Sequence, residues 1–125
     1  MRLRVAALLV VHVASLGCGG DDGPTTPTPR STTYESTVES TIAAHAVLCV
    51  NFKQEAPGPA SASAGLIVPI EIGTGTCAGT RSVIARDDRG GVTATLPAGD
   101  SFVRFENTSD SEARYRLTLR YLILY

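Results

Sequence analysis

The side chains with the most chemistry in this chain are three cysteines, a single histidine beyond residue 17, and arginines gathered toward the C-terminus. A zinc centre of the usual kind draws on several imidazoles or thiolates, and His45 alone cannot assemble a histidine-rich one. A Ser-His-Asp triad would need that same His45, and no nucleophile-elbow motif lies near it. Glu35 and Glu39 fall on one side of an extended segment, while Glu71 stands alone, so a working carboxylate pair is less expected than solvated acids. Asp87-Asp88-Arg89-Gly90-Gly91 offers two carboxylates where calcium wants six or more oxygens; a plain hairpin turn accounts for it better. Phosphate-loop and dinucleotide fingerprints are absent from the sequence. Arg114, Arg116 and Arg120 share one face of an alternating segment, with Arg104 placed provisionally on a neighbouring strand. Such a stripe suits an anionic glycan or phospholipid headgroup, against the default of a solvated sheet face.

The elements that position these residues have a period of two. In Tyr115–Tyr121, Tyr115, Leu117, Leu119 and Tyr121 fall on one face and Arg116, Thr118 and Arg120 on the other, the pattern of a half-buried strand. Carried further, the alternation turns Ile123 and Tyr125 inward and Leu122 and Leu124 outward, so this strand end is expected to be covered on both sides or to touch something else. Val92–Leu96 alternates as well, Pro97–Asp100 is turn chemistry, and Ser101–Glu106 turns Val103 and Phe105 inward. Asn107–Ser111 reads as another turn. Upstream, Ala46–Phe52 places Leu48, Val50 and Phe52 on one face. Residues 55–65 read as a Pro/Gly/Ala/Ser loop. Leu66–Ile72 reads as a strand whose Pro69 assigns it to an edge or a bulge, residues 73–79 as a long turn, and Arg81–Ala85 and Glu35–Ile42 as further strands. About seven short strands with regular turns predict an all-β antiparallel sandwich or jelly roll.

The N-terminus is different in kind. Arg2 and Arg4 precede an apolar run from Val5 to Val13, then Ala14-Ser15-Leu16-Gly17-Cys18, after which Gly19-Gly20-Asp21-Asp22 ends the apolar character. This is the layout of a secretory signal. It is too short for a spanning helix, which needs about 20 apolar residues. The cysteine at the break resembles the signal of bacterial lipoproteins, with Ser15 where Leu is usual. That resemblance implies cleavage before Cys18, lipidation of Cys18 and a membrane partner through that anchor. Gly19 rather than Asp is similar to signals that deliver lipoproteins to the outer membrane. An ordinary cleaved signal is the alternative. Acyl chains contribute about 0.8 kcal/mol per buried methylene, so two or more hold firmly. Residues 18–33 then read as a lipidated cysteine and a Gly/Asp/Pro/Thr linker, a disordered stalk reaching up to about 45 Å in polyproline II. Residues 34–125 remain as one domain.

The whole chain carries net charge −1, and removing Arg2 and Arg4 takes the mature form to about −3 (−1 − 2). That balance, with no tryptophan and seven Phe and Tyr (three plus four), argues against a nucleic-acid partner. The run Thr95–Asn107, followed by Ala113–Leu119, resembles the end of bacterial pre-peptidase C-terminal domains: a Pro-Ala-Gly turn, a strand ending near Asn, and a Tyr-x-Leu-x-Leu strand. The likeness covers roughly residues 92–121, and the family's Asp-x-Asp-Leu-x-Leu strand is replaced here by Leu66–Ile72. It implies a jelly-roll-like β-sandwich that accompanies secreted enzymes without catalysing anything itself. With Cys18 spent on lipid, Cys49 and Cys77 are left as a pair in an oxidising compartment, either bonded, as expected, or as two free thiols. Together these readings predict a lipid-anchored cell-envelope protein carrying a small non-catalytic binding or structural module, with no cofactor, no metal and an envelope glycan or protein as partner. The alternative is a secreted accessory domain that recognises carbohydrate or protein.

Overall fold

The computed structural model describes residues 30–125. The predicted signal, Cys18 and the stalk up to residue 29 lie outside the described residues. Eight strands follow in order: β1 (Ser31–Ile42), β2 (Val47–Gln54), β3 (Gly58–Ser63), β4 (Ile70–Gly75), β5 (Arg81–Asp87), β6 (Gly91–Leu96), β7 (Gly99–Glu106) and β8 (Ala113–Leu124). They form two four-stranded sheets, β1-β8-β3-β6 and β2-β7-β4-β5. All chain neighbours except β4 and β5 lie in opposite sheets, which is the strand order of a jelly roll. The all-β antiparallel sandwich expected from the alternation is therefore the fold.

The core lies between the sheets and is built from the inward sets already legible in β7 and β8: Val103 and Phe105 from one, Tyr115, Leu117 and Leu119 from the other. Ile70 and Ile72 of β4 and Leu96 of β6 complete its centre. The far end of β8 is covered on both sides, since Leu122 on its other face is buried too.

Four assignments need correction. Residues 31–33, read as the end of the stalk, begin β1. Residues 58–63, read as loop, are β3, an inner strand of its sheet. Alanine and serine are poor strand formers, but here Ala60 and Ala62 are buried small residues held by pairing to Ala94 and Val92 of β6. Pro59 is tolerated because β8 pairs with β3 only from Ser61 to Ser63. The strand predicted over 66–72 begins only at Ile70, after Pro69, and lies between β7 and β5 rather than at an edge. It then runs through Gly73 to Gly75, residues read as turn. A register shift at Ile72/Gly73 leaves Ile84 of β5 bulged, and a Cβ at Gly73 would collide with the Ser82 carbonyl there. Glycine at this position permits the close approach.

Two buried amides tie the ends of the sandwich. Asn107 is 2% exposed. Its Nδ2 donates toward the carbonyls of Ile42 (3.2 Å), Ala43 (3.1 Å) and Ser111 (2.9 Å). Its Oδ1 accepts from the Ser109 amide and hydroxyl. At the opposite end, Gln54 of β2 donates to the Gly58 carbonyl and accepts from the Leu122 amide, each at 2.9 Å, bridging the two sheets. Ser101 is the counterexample, a buried hydroxyl without a partner. Replacing Asn107 by Ala strands the carbonyl of the buried Ile42 and removes the bonds to Ala43, Ser109 and Ser111, and urea unfolding should show a loss of about 2 kcal/mol. Ser101→Ala removes an unsatisfied hydroxyl instead, and the same measurement should show unchanged or slightly raised stability.

Candidate functional site

The four arginines of the predicted stripe do not share a surface. Arg114, Arg116 and Arg120 lie exposed on the outer face of β8. Arg104 is on β7, in the other sheet, between β2 and β4. Nor is the β8 stripe an open row of cations. Glu39 of β1 meets Arg116 at 3.3 Å and Glu35 meets Arg120 at 3.1 Å, with Thr37 and Thr118 between them at 3.4 Å. These pairs step by two residues in opposite senses along β1 and β8, so they form one antiparallel ladder of side chains. The two glutamates weighed as a carboxylate pair are thus partners of the two arginines weighed as an anion site. Arg104 is likewise engaged: its Nη1 lies 3.5 Å from Glu71, whose other oxygen takes Arg86 at 3.1 Å.

The outer face of the second sheet is organised by the Cys49–Cys77 disulfide, with Cα atoms 5.9 Å apart. Leu48, Val50 and Phe52 of β2 point into the sandwich, so Cys49 and Asn51 point outward. Asn51 Oδ1 accepts from the Cys77 amide at 2.7 Å, fixing the β4–β5 loop over this face. Phe102, facing outward between Asn51 and Gly73, is fully buried. The Arg81 guanidinium lies 5.7 Å from its ring centre, within cation–π range. Alternation along β7 gave no sign that this outward Phe would be covered, because Arg81, which lies over it, comes from β5.

His45 stands in the β1–β2 turn at φ 58°, its Nε2 2.8 Å from Asp110 Oδ1. These side chains are 59% and 98% exposed. They pin two loops in open solvent, without the water-excluded setting in which a dyad gains electrostatic strength. Asp87 accepts from the Arg89 amide at 2.7 Å and Asp88 faces Arg86 at 3.5 Å, so the pair closes its own hairpin. Among the described residues no three His, Cys, Asp or Glu are grouped to hold a metal ion.

The surface the sequence did not reveal is a groove between the two sheets at the β1 and β2 edges. It has a volume of about 100 Å³ and is walled by Ser36 and Val38 on one side and Leu48 and Val50 on the other, over Tyr115, Leu117 and Leu119. Beside it, the Tyr121 ring packs between Tyr34 (5.5 Å between centres) and Phe52 (5.1 Å). Burial, with smaller contributions from Tyr34 and Glu55, pushes the Tyr121 hydroxyl above its ordinary value of 10.0. The signal for this groove was present in β1, where Tyr34, Ser36 and Val38 alternate with Glu35, Thr37 and Glu39, but only its neighbours make it a cavity.

No family model matches the chain, and no curated protein matches it in sequence. Solved structures do resemble it in fold. The Aeromonas hydrophila PliG, a periplasmic inhibitor of g-type lysozyme, aligns at 13% identity and TM-score 0.53, over 74% of this chain and 88% of its own. The Yersinia pseudotuberculosis-derived mitogen aligns at 16% identity and TM-score 0.53, over 75% and 87%. The pre-peptidase C-terminal domain of a Bacillus anthracis collagenase aligns at 7% identity and TM-score 0.48, over 71% and 89%. At these identities the likeness is one of architecture: the class defined is a small two-sheet β-sandwich.

Cys49 and Cys77 are separated by 28 positions, and opening that loop costs about 3.5 kcal/mol in the chain-entropy account. A Cys49→Ser/Cys77→Ser variant should lose roughly this amount in denaturant unfolding. Equal midpoints for variant and parent would show that the bond adds nothing to the packing around Phe102.

Proposed function

We propose that this chain is an exported, lipid-anchored cell-envelope protein whose jelly-roll body is a non-catalytic module for binding a protein or an envelope glycan. The observation that carries this reading is the Cys49–Cys77 disulfide. Such bonds persist in oxidising compartments, and this one leaves Cys18 as the remaining cysteine, placed where an apolar run ends. The charged start, short apolar stretch and small residues before Cys18 supply the matching address, and the Pro/Thr stretch behind it supplies a spacer.

The body supports binding better than turnover. Glu35, Glu39, Glu71, Asp87, Asp88 and His45 are tied into ion pairs and turns, while its apolar groove and the exposed Tyr34 and Val38 are unspent contact surface. A protein partner is in keeping with the Aeromonas protein of the same architecture, a periplasmic inhibitor of g-type lysozyme. An anionic glycan laid along Arg116 and Arg120 would have to displace Glu39 and Glu35, which makes that face the weaker candidate.

Expression of the full chain in a Gram-negative host with radiolabelled palmitate tests the anchor. Label should be incorporated and the protein should sediment with membranes, and Cys18→Ala should lose both. Mature protein that is cut but unlabelled and soluble would point to the secreted alternative, and uncut protein in the cytosol would overturn export altogether.

A further inference from the structure

Each sheet has two edges, and three of the four are blunted in ways natural proteins use against unwanted strand pairing. β6 is short, at six residues; β5 is kinked by its bulge at Ile84; and β2 carries the exposed Lys53. β1 has none of these devices. It runs for 12 residues with no proline, no lysine and no arginine, and among the described residues only its β8 side is paired. Its charges do not protect it either, because Glu35 and Glu39 are neutralised by Arg120 and Arg116. On its inner face Tyr34, against Tyr121, and Val38, which lines the groove, are 46% and 51% exposed.

We infer that β1 is a self-complementary interface, through which two copies of this chain join edge to edge, antiparallel, with Ser36 facing Ser36 across the two-fold axis. The residue pattern selects both the partner and the register. With Ser36 on the axis, Tyr34 stands opposite Val38 of the second copy, Glu35 opposite Thr37, and Thr33 opposite Glu39. The aromatic and β-branched residues, each half-exposed in one copy, then meet as a favourable cross-strand pair, and no like charges face each other. Moving the axis by one residue, to Thr37, would set Glu35 against Glu39 and separate Tyr34 from Val38. The joined strands complete the backbone hydrogen bonding of both edges and make one eight-stranded sheet. Because side chains alternate between faces, the inner-face residues of the second β1 come to lie beside Tyr34 and Val38, over the open side of the groove. The inference concerns the body alone and stands whether or not Cys18 carries lipid.

Disulfide trapping in the full chain, in whole expressing cells and their medium, tests both the partner and the register. Directly opposed residues on antiparallel strands have Cα atoms about 4.5–5.5 Å apart, within the range a disulfide spans. Ser36→Cys should therefore give a reducible dimer of twice the chain mass under mild oxidation. Thr37→Cys and Ser40→Cys should give little, and the parent chain controls for Cys18. Adding Val38→Lys to Ser36→Cys should cut the trapped yield about tenfold, since a charge without a partner is costly at a covered seam. Sedimentation of the cysteine-unaltered chain in detergent gives an independent reading: dimer for the parent, monomer for Val38→Lys. A Ser36→Cys chain that stays monomeric, strong trapping at Thr37→Cys instead, or a Ser36→Cys adduct with a protein of another mass would each overturn the proposal.

Discussion

The buried amide of Asn107 is the contact on which the placement of β1 depends. A 12-residue strand exposed along nearly its whole length buries little apolar surface of its own. It is held along β8 by ladder pairing and by two surface ion pairs, a class of interaction worth at most about 1 kcal/mol each. Its C-terminal end is different. There Ile42 enters the core, and Asn107 captures the carbonyls of Ile42 and Ala43 together with that of Ser111. One side chain from the second sheet thus anchors the end of a strand in the first, and it also shapes the β7–β8 loop through Ser109. In a buried setting hydrogen bonds of this sort matter less for their net gain than for the cost of leaving any of them unmade.

Gln54 plays the complementary part at the other end, where the chain passes from β2 in one sheet to β3 in the other. Jelly-roll connectivity makes such crossings unavoidable, and each crossing leaves backbone groups that no ladder can satisfy. Gln54 takes one carbonyl and one amide, from Gly58 and Leu122, while its own position in β2 is paired with Gly99 of β7. The two amides therefore sit where the topology creates unpaired groups, and not in the middle of the sheets, where Ile70, Ile72, Val103 and Phe105 do the packing.

This division explains what could be read in the chain and what could not. β7 and β8 were legible because bulky apolar residues alternate with charged ones, a pattern that only a half-buried strand satisfies. β3 was illegible because Gly-Pro-Ala-Ser-Ala-Ser has neither bulk nor alternation; its conformation is imposed by β6 and β8 on either side. The same limit hid the candidate surfaces. Glu35 and Arg120 are 85 positions apart, so the ladder that neutralises the arginine stripe exists only once β1 is known to lie beside β8. Arg104 looked like a fourth member of that stripe because β7 and β8 are consecutive, whereas in this topology consecutive strands mostly belong to opposite sheets. The cysteine pair was legible as a pair, but its work, tying the β4–β5 loop to the outer face of β2, was not.

The balance of charge on the two outer faces then directs attention to the edges. Each face carries a cross-strand network of Glu and Arg: Glu35, Glu39, Arg116 and Arg120 on one, Glu71, Arg86 and Arg104 on the other. Networks of this composition keep a sheet face solvated and leave little net field to attract a charged ligand. Apolar contact is concentrated instead where the sheets part, at Val38, Leu48 and Val50 with the half-exposed Tyr34 nearby, beside a strand whose outer edge is unpaired among the described residues. Main-chain pairing supplies affinity in such a place and alternate side chains supply selectivity. In this protein the selectivity is written in the β1 side chains themselves, whose order from Thr33 to Glu39 suits a second copy of the same strand.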